Sequence, residues 1–218
     1  MFILEKDPKS IAAESYRTLR TNIQYSSFDK EYKIIMVTSS EPGEGKSTIA
    51  GNLALSFAQD GKRVLLIDCD LRKPSLHKKF KISNLVGLSD VLIGKEDLKT
   101  ALHRYNENLV VLTSGKLPPN PSEMLSSKAM SNLLKELKNV FDYIILDTPP
   151  VQAVTDSQIL STKADGTILV IRAEKTKKDS VQNALGLLKK VNANIIGTVL
   201  NGIESSRNKY YYYYGESK

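Results

Sequence analysis

One cysteine, Cys69, stands in a chain of 218 residues. A lone thiol excludes an internal disulfide framework and a zinc site built from several cysteines. No apolar run reaches the roughly 18 residues that a membrane span needs. The first ten residues, MFILEKDPKS, have neither a basic start nor a long apolar stretch. No secretory leader is therefore expected, and the expected compartment is the cytosol. Zinc-finger spacing and an aromatic-rich RNA signature are missing, as are internal repeats with a period of roughly 20–50 residues.

What is present is an ordinary globular balance, with 41% hydrophobic and 25% charged residues. A chain of this length can bury a core unaided. Lys and Arg number 31 against 24 Asp and Glu, a net charge of +7. A basic balance permits contact with nucleic acid, phosphate or anionic membrane without choosing among them. Most of these lysines are expected to be solvated surface, and no nucleic-acid partner is expected.

Ile/Val/Leu-rich runs at 33–38, 63–68, 109–113, 143–147, 167–172 and 194–200 read as strands. Being apolar throughout, they suit parallel strands buried on both faces. Helical patterns lie between them at 47–59, 129–140 and 178–191. Such alternation predicts a single-domain α/β fold, a mostly parallel sheet with helices on both faces. Residues 8–26 read as an amphipathic helix ahead of the first strand. The expected organisation is an N-terminal segment with that helix (1–32), a P-loop domain (33–203) and a flexible tyrosine-rich tail (204–218).

The segment SEPGEGKST, Ser40–Thr48, follows the first strand and opens a helix, the context a P-loop requires. Gly43 and Gly45 let backbone N–H groups approach phosphate oxygens. The helix that follows adds its positive N-terminal end. Lys46 is placed to reach the β- and γ-phosphates, and Ser47 to hold Mg²⁺. Glu44 and Thr48 complete the candidate nucleotide loop. Ser40 stands where the motif usually begins with glycine.

Two further strands end in acids. VLLIDCDLR places Asp68 and Asp70 two apart, so that both face one side of an extended chain while Cys69 faces the other. YIILDTPP ends in Asp147. Ligands of open parallel sheets bind beyond the carboxyl ends of the strands, where all three acids and the loop fall. Magnesium needs only one or two carboxylates beside phosphate oxygens, which leaves a third free to act as a base. One such Asp is often only a turn cap; three converging on a phosphate loop are not explained that way. Cys69 reads as a small core residue.

The set SSEPGEGKS, VLLIDCDLR and YIILDTPP resembles the Walker A, A′ and B motifs of the bacterial tyrosine kinases of capsule and exopolysaccharide operons. The resemblance runs through GLSDVLIG (87–94), LPPNPSEML (117–125), TPPVQAVTD (148–156), Asn201 and the tyrosine tail. It implies a P-loop fold related to partitioning and division-site ATPases. It also implies autophosphorylation of a tyrosine cluster with ATP and Mg²⁺, and control of polysaccharide synthesis and export. The absence of a span resembles the split type, a cytoplasmic chain recruited to the inner face of the plasma membrane. The activating partner would be the cytoplasmic tail of a transmembrane adaptor, with a tyrosine phosphatase as a further partner. By resemblance Lys46 grips the phosphates, Asp70 and Asp147 order the metal, and Asp68 accepts the tyrosine proton. Asn201 meets the adenine, and Arg172 lines the pocket. Glu41 stands where partitioning ATPases carry a second lysine, which favours the kinase branch. A partitioning-type ATPase and a nucleotide-gated scaffold are the competing readings.

Five consecutive tyrosines, Tyr210, Tyr211, Tyr212, Tyr213 and Tyr214, stand near the end of the sequence. Beside a nucleotide site they read as phosphoacceptors rather than as an idle terminus. Each phosphate adds about −1.5 to −2 charges, so five would cancel the positive balance. Glu14, Arg17 and Arg20 recur at a spacing of three and share a helix face. The family uses this E-x-x-R-x-x-R pattern at the subunit contacts of an eight-membered ring, which implies the same contact here.

Overall fold

A computed structural model describes residues 2–26 and 31–203. The tyrosine cluster expected to be the acceptor therefore lies outside the described residues. Two helices precede the first strand: α1 (Ile3–Lys6) and α2 (Ile11–Tyr25). The chain then runs through β1 (Ile34–Ser39), α3 (Lys46–Gln59), β2 (Val64–Asp68), α4 (Leu76–Phe80), α5 (Leu88–Leu92) and α6 (Leu98–Ala101). The hairpin β3 (Leu102–Arg104) and β4 (Leu109–Leu112) follows, then α7 (Pro121–Ser126) and α8 (Lys128–Leu137). The last elements are β5 (Tyr143–Asp147), α9 (Asp156–Ser161), β6 (Gly166–Arg172), α10 (Lys178–Lys190) and β7 (Ile195–Asn201).

The seven strands form one sheet in the order β3-β4-β2-β5-β1-β6-β7. Every pairing is parallel except that of β3 with β4. Each inner strand supplies two cores by alternation. Ile35 and Val37 of β1, with Val64 and Leu66 of β2, pack against Leu53 and Phe57 of α3 and Ile23 of α2. Ile34 and Met36, with Leu65 and Ile67, pack in the other layer with Leu133, Leu134 and Leu137 of α8 and Leu188 of α10. Burial on both faces is why these strands read as unbroken apolar runs.

Two readings need correction. The stretch at 194–200 was expected to be buried on both faces, but β7 is an edge strand with Gly197, Thr198 and Leu200 exposed. β3 carried no apolar run to announce it. It is three residues long and antiparallel, and exists because Asn106 turns the chain. The Asn106 side-chain oxygen accepts the N–H groups of Asn108 (3.0 Å) and Leu109 (2.8 Å), a local bond that nucleates the hairpin. The N-terminal helix begins later than the pattern suggested. Its start is fixed by Ser10, whose hydroxyl accepts the Ala13 N–H at 3.2 Å.

Candidate active site

The carboxyl ends of β1, β2 and β5 adjoin, and each delivers one part of the site. From β1 the chain turns through residues 40–45 into α3. Gly43 and Gly45 both take positive φ, +82° and +99°, which side-chain-bearing residues adopt only at a cost. Gly45 has a second reason to be glycine. A Cβ there would lie 2.1 Å from Nδ2 of Asn201. Asn201, at the end of β7, uses that nitrogen to donate to the Glu44 carbonyl at 2.9 Å.

Glu44 turns its carboxylate inward. It accepts the Ser40 hydroxyl and the Glu41 N–H at 3.0 Å, and the Thr176 hydroxyl as well. Its side chain thus holds the loop, and what it offers a phosphate is its main-chain N–H. Ser40 earns its place here as the hydroxyl partner of Glu44. Glu41 is held from α10, where the Ser180 hydroxyl donates to its carboxylate. Gln152 donates to both the Ser40 carbonyl (3.3 Å) and the Ser180 hydroxyl (2.8 Å).

Asp68 and Asp147 are register partners on β2 and β5, and both are fully buried. Asp68 accepts the N–H groups of Ser75 (3.0 Å), Leu76 (2.9 Å) and Asp70 (3.2 Å). Burial, then the charge of Asp147, push its pKa up to about 7 against the pull of those N–H groups. Asp147 has no hydrogen-bond partner on either carboxylate oxygen. Burial raises its pKa, while the charge of Lys46, the Ser47 hydroxyl beside it and, more weakly, the charge of Lys79 draw it back. Asp70 binds the Lys73 N–H at 2.9 Å and the Lys46 ammonium at 3.0 Å. Lys46 also lies 3.9 Å from Asp147. Burial disfavours the charge on Lys46, but Asp147 and Asp70 outweigh it and its pKa is raised. Cys69 lies in the core layer, its thiol pKa pushed well up by burial.

The sequence-predicted residues Gly43, Gly45, Lys46, Ser47, Asp68, Asp70, Asp147 and Asn201 are thus gathered at one end of the sheet. Arg172 is close by, its guanidinium against Gly202, where a Cβ would lie 2.5 Å from Cζ. Glu14 and Arg17 form an exposed pair on α2 at 2.9 Å. Arg20 does not share that exposure. It donates to the Ser56 carbonyl at 2.8 Å and lies 3.4 Å from Asp60, pinning α2 to α3.

The residues on hand fit a magnesium nucleotide. The amides of α3 and two positive-φ glycines suit phosphate oxygens. The two orphaned oxygens of Asp147 need a cation or water to justify their burial. A residue given no role in the sequence reading ties the motifs together at the same place. Arg72 makes two bonds to the fully buried Asp156, at 2.9 and 3.1 Å, and a third to Ser122 at 3.0 Å. One guanidinium thereby joins VLLIDCDLR, TPPVQAVTD and LPPNPSEML. The signal for it was visible in an arginine two residues after Asp70. No signal in the sequence marked Thr176 or Lys79.

A phosphate loop at the turn from strand to helix, facing strand-end carboxylates, defines a P-loop nucleotide-binding protein. Residues 32–200 match the family described as AAA domain. The chain is 50% identical over 210 residues to the tyrosine-protein kinase YwqD of Bacillus subtilis (strain 168), covering 96% of this chain and 89% of that protein. The solved kinase domain of the Escherichia coli tyrosine kinase ETK superposes with a TM-score of 0.90 at 34% identity, covering 93% of this chain and 80% of that one. The chimerical protein CapA2B2 gives 0.88 at 39%, covering 91% and 88%. The chain belongs to the bacterial tyrosine-protein kinase family. Among its described residues, no helix is long and apolar enough to cross a membrane.

Proposed function

We propose that the chain is an ATP-dependent protein-tyrosine kinase whose acceptors are its own residues 210–214. The observation that carries this reading is the meeting of Lys46, at the start of α3, with Asp70 and with Asp147, whose carboxylate is buried without a hydrogen bond. When bound, Mg-ATP supplies the transferable phosphoryl group and positive charge to offset that of the acids. Lys46 would turn from Asp70 to the phosphates, while Ser47, Asp70 and Asp147 hold the metal. Asp68, with a pKa of about 7, suits a base at neutral pH. It takes the tyrosine proton as the new oxygen–phosphorus bond forms and the bond to the ADP oxygen breaks. Asn201 and Arg172, on the β7 and β6 ends, border the adenine side. Glu41, engaged by Ser180, has no ammonium to offer a second nucleotide, which speaks against the partitioning-ATPase mechanism.

The wider assignment rests on the relatives. The chimerical protein CapA2B2 among the similar structures suggests an adaptor partner; activation by its tail and recruitment to the inner face of the plasma membrane extend that reading. Glu14, Arg17 and Arg20 on α2 are assigned to a ring of copies, in which the tail of one copy would reach the site of its neighbour. From Asn201 to Tyr212 is 11 residues, an extended reach of about 36–40 Å. Phosphorylation and a phosphatase would then cycle the assembly during capsular or exopolysaccharide synthesis and export.

A mixing experiment tests the reading. An active chain truncated after residue 203 is incubated with full-length Lys46→Met, Mg-ATP and an adaptor-tail peptide. Phosphotyrosine within 210–214 of the inactive partner is expected. ATP hydrolysis with no phosphotyrosine, in this mixture and in the wild type, would overturn it.

A further inference from the structure

Asp68 does more than face the site. By binding the N–H groups of Ser75 and Leu76 it fixes the start of α4. One turn further along α4 is Lys79, partly buried. Its ammonium donates to the Thr48 hydroxyl at 2.9 Å. Thr48 is the third residue of α3, so this ammonium sits at the N-terminal turn that the phosphate loop opens.

The two lysines at this turn differ in their company. Lys46 is compensated by Asp70 at 3.0 Å and Asp147 at 3.9 Å. Lys79 makes no ion pair among the described residues, and a neutral hydroxyl is the partner found for it. An ammonium has three donors, and one is used. Lys79 feels the charge of Asp147 only at a distance, and a part-buried cation held against a neutral group by an anchored helix is poised for an anion in direct contact.

We infer that Lys79 is a second phosphate-binding cation, directed at the polyphosphate of a nucleoside di- or triphosphate on the Thr48 side of the loop. Lys46 serves the flank bordered by the acids, and Lys79 serves the flank bordered by Thr48. This rests on the nucleotide-site reading and deepens it.

Binding of ADP, AMP and adenosine to the full chain tests it without any need for turnover. Lys79→Gln retains a donor for Thr48 and removes the charge, so it guards against a folding defect in Lys79→Ala. Both variants are expected to weaken ADP about five- to twentyfold, as for one lost charge-assisted contact, and to leave adenosine within twofold. Lys79→Arg should recover most of the loss. The deficit should shrink in high salt, where screening removes the contribution of a partly exposed charge. Lys78→Ala, exposed on the same helix, should match the wild type. ADP affinity within twofold of wild type in Lys79→Gln would overturn the inference. So would equal losses for ADP and adenosine, which mark a purely structural role. If the wild type binds no ADP and Lys46→Met changes nothing, the nucleotide-site reading falls and this inference with it.

Discussion

Asp68 and Asp147 lie opposite each other in register on adjacent parallel strands, both without solvent exposure. Burial and the charge of Asp147 raise the pKa of Asp68, and burial raises that of Asp147. The fold tolerates the pair through the backbone N–H groups on Asp68 and the ammonium near Asp147. The pair thus carries a cost in stability that a bound cation would relieve.

That cost is measurable. For a carboxyl raised from its ordinary value to about 7, the folded state binds more protons between those two values. Stability without ligand should therefore fall as pH rises through that window and level off above neutrality. Asp147→Asn removes one buried charge and relaxes Asp68. It should raise the melting temperature at pH 8 by about 2–5 °C while abolishing metal-dependent nucleotide binding. Calorimetry of both proteins from pH 5 to 8 checks the slope; a destabilised variant at pH 8 would contradict it.

Gly45 and Gly43 separate strain from collision. Both have positive φ, but only Gly45 faces a neighbour, Nδ2 of Asn201. Gly43→Ala should cost about 1 kcal/mol from the backbone alone. Gly45→Ala adds the displacement of Asn201 from the Glu44 carbonyl, and should weaken ADP at least tenfold more than Gly43→Ala. Paired titrations with ADP would reveal equal effects if the contact with Asn201 were immaterial.

Arg72 holds the Walker A′ loop to α9 and α7. Arg72→Ala leaves Asp156 buried with Ser122 as its remaining side-chain partner, a loss of about 2–3 kcal/mol. Lysine cannot reproduce the two-pronged bond. Arg72→Lys should therefore recover less than half of the loss in urea unfolding. Full recovery would show that charge alone is needed.

Arg17 and Arg20 divide by what they touch. Arg20 ties α2 to α3, so Arg20→Ala should lower the stability of the monomer itself by about 1 kcal/mol. Arg17 pairs with Glu14 and donates to the Pro8 carbonyl at 2.7 Å, both exposed contacts, and should change monomer stability by less than about 0.5 kcal/mol. Arg17→Ala is therefore the cleaner probe of the ring: light scattering should show smaller particles from a chain that melts normally. A ring of unchanged size would remove Arg17 from the interface.

Most of the inner sheet and the phosphate loop were legible because their residues serve one purpose each. Ile34–Val37 alternate between two cores, and the alternation leaves an unbroken apolar run. Gly43, Gly45, Lys46 and Ser47 are set by phosphate chemistry at fixed spacing. β7 misled because its apolar residues resemble an inner strand, and only sheet order reveals an edge. β3 was silent because a side-chain turn at Asn106 makes it. Glu44 read as a nucleotide residue, yet its carboxylate is occupied by Ser40 and Thr176. Thr176 and Lys79 reach the loop from distant segments, and no local pattern encodes such a contact.

The most direct test of phosphoryl transfer to tyrosine is the intact mass of the full chain after incubation with Mg-ATP and an adaptor-tail peptide. The account predicts successive phosphate additions that map to residues 210–214 and are absent from Lys46→Met. An unchanged mass in the wild type, with ATP bound or hydrolysed, would contradict it.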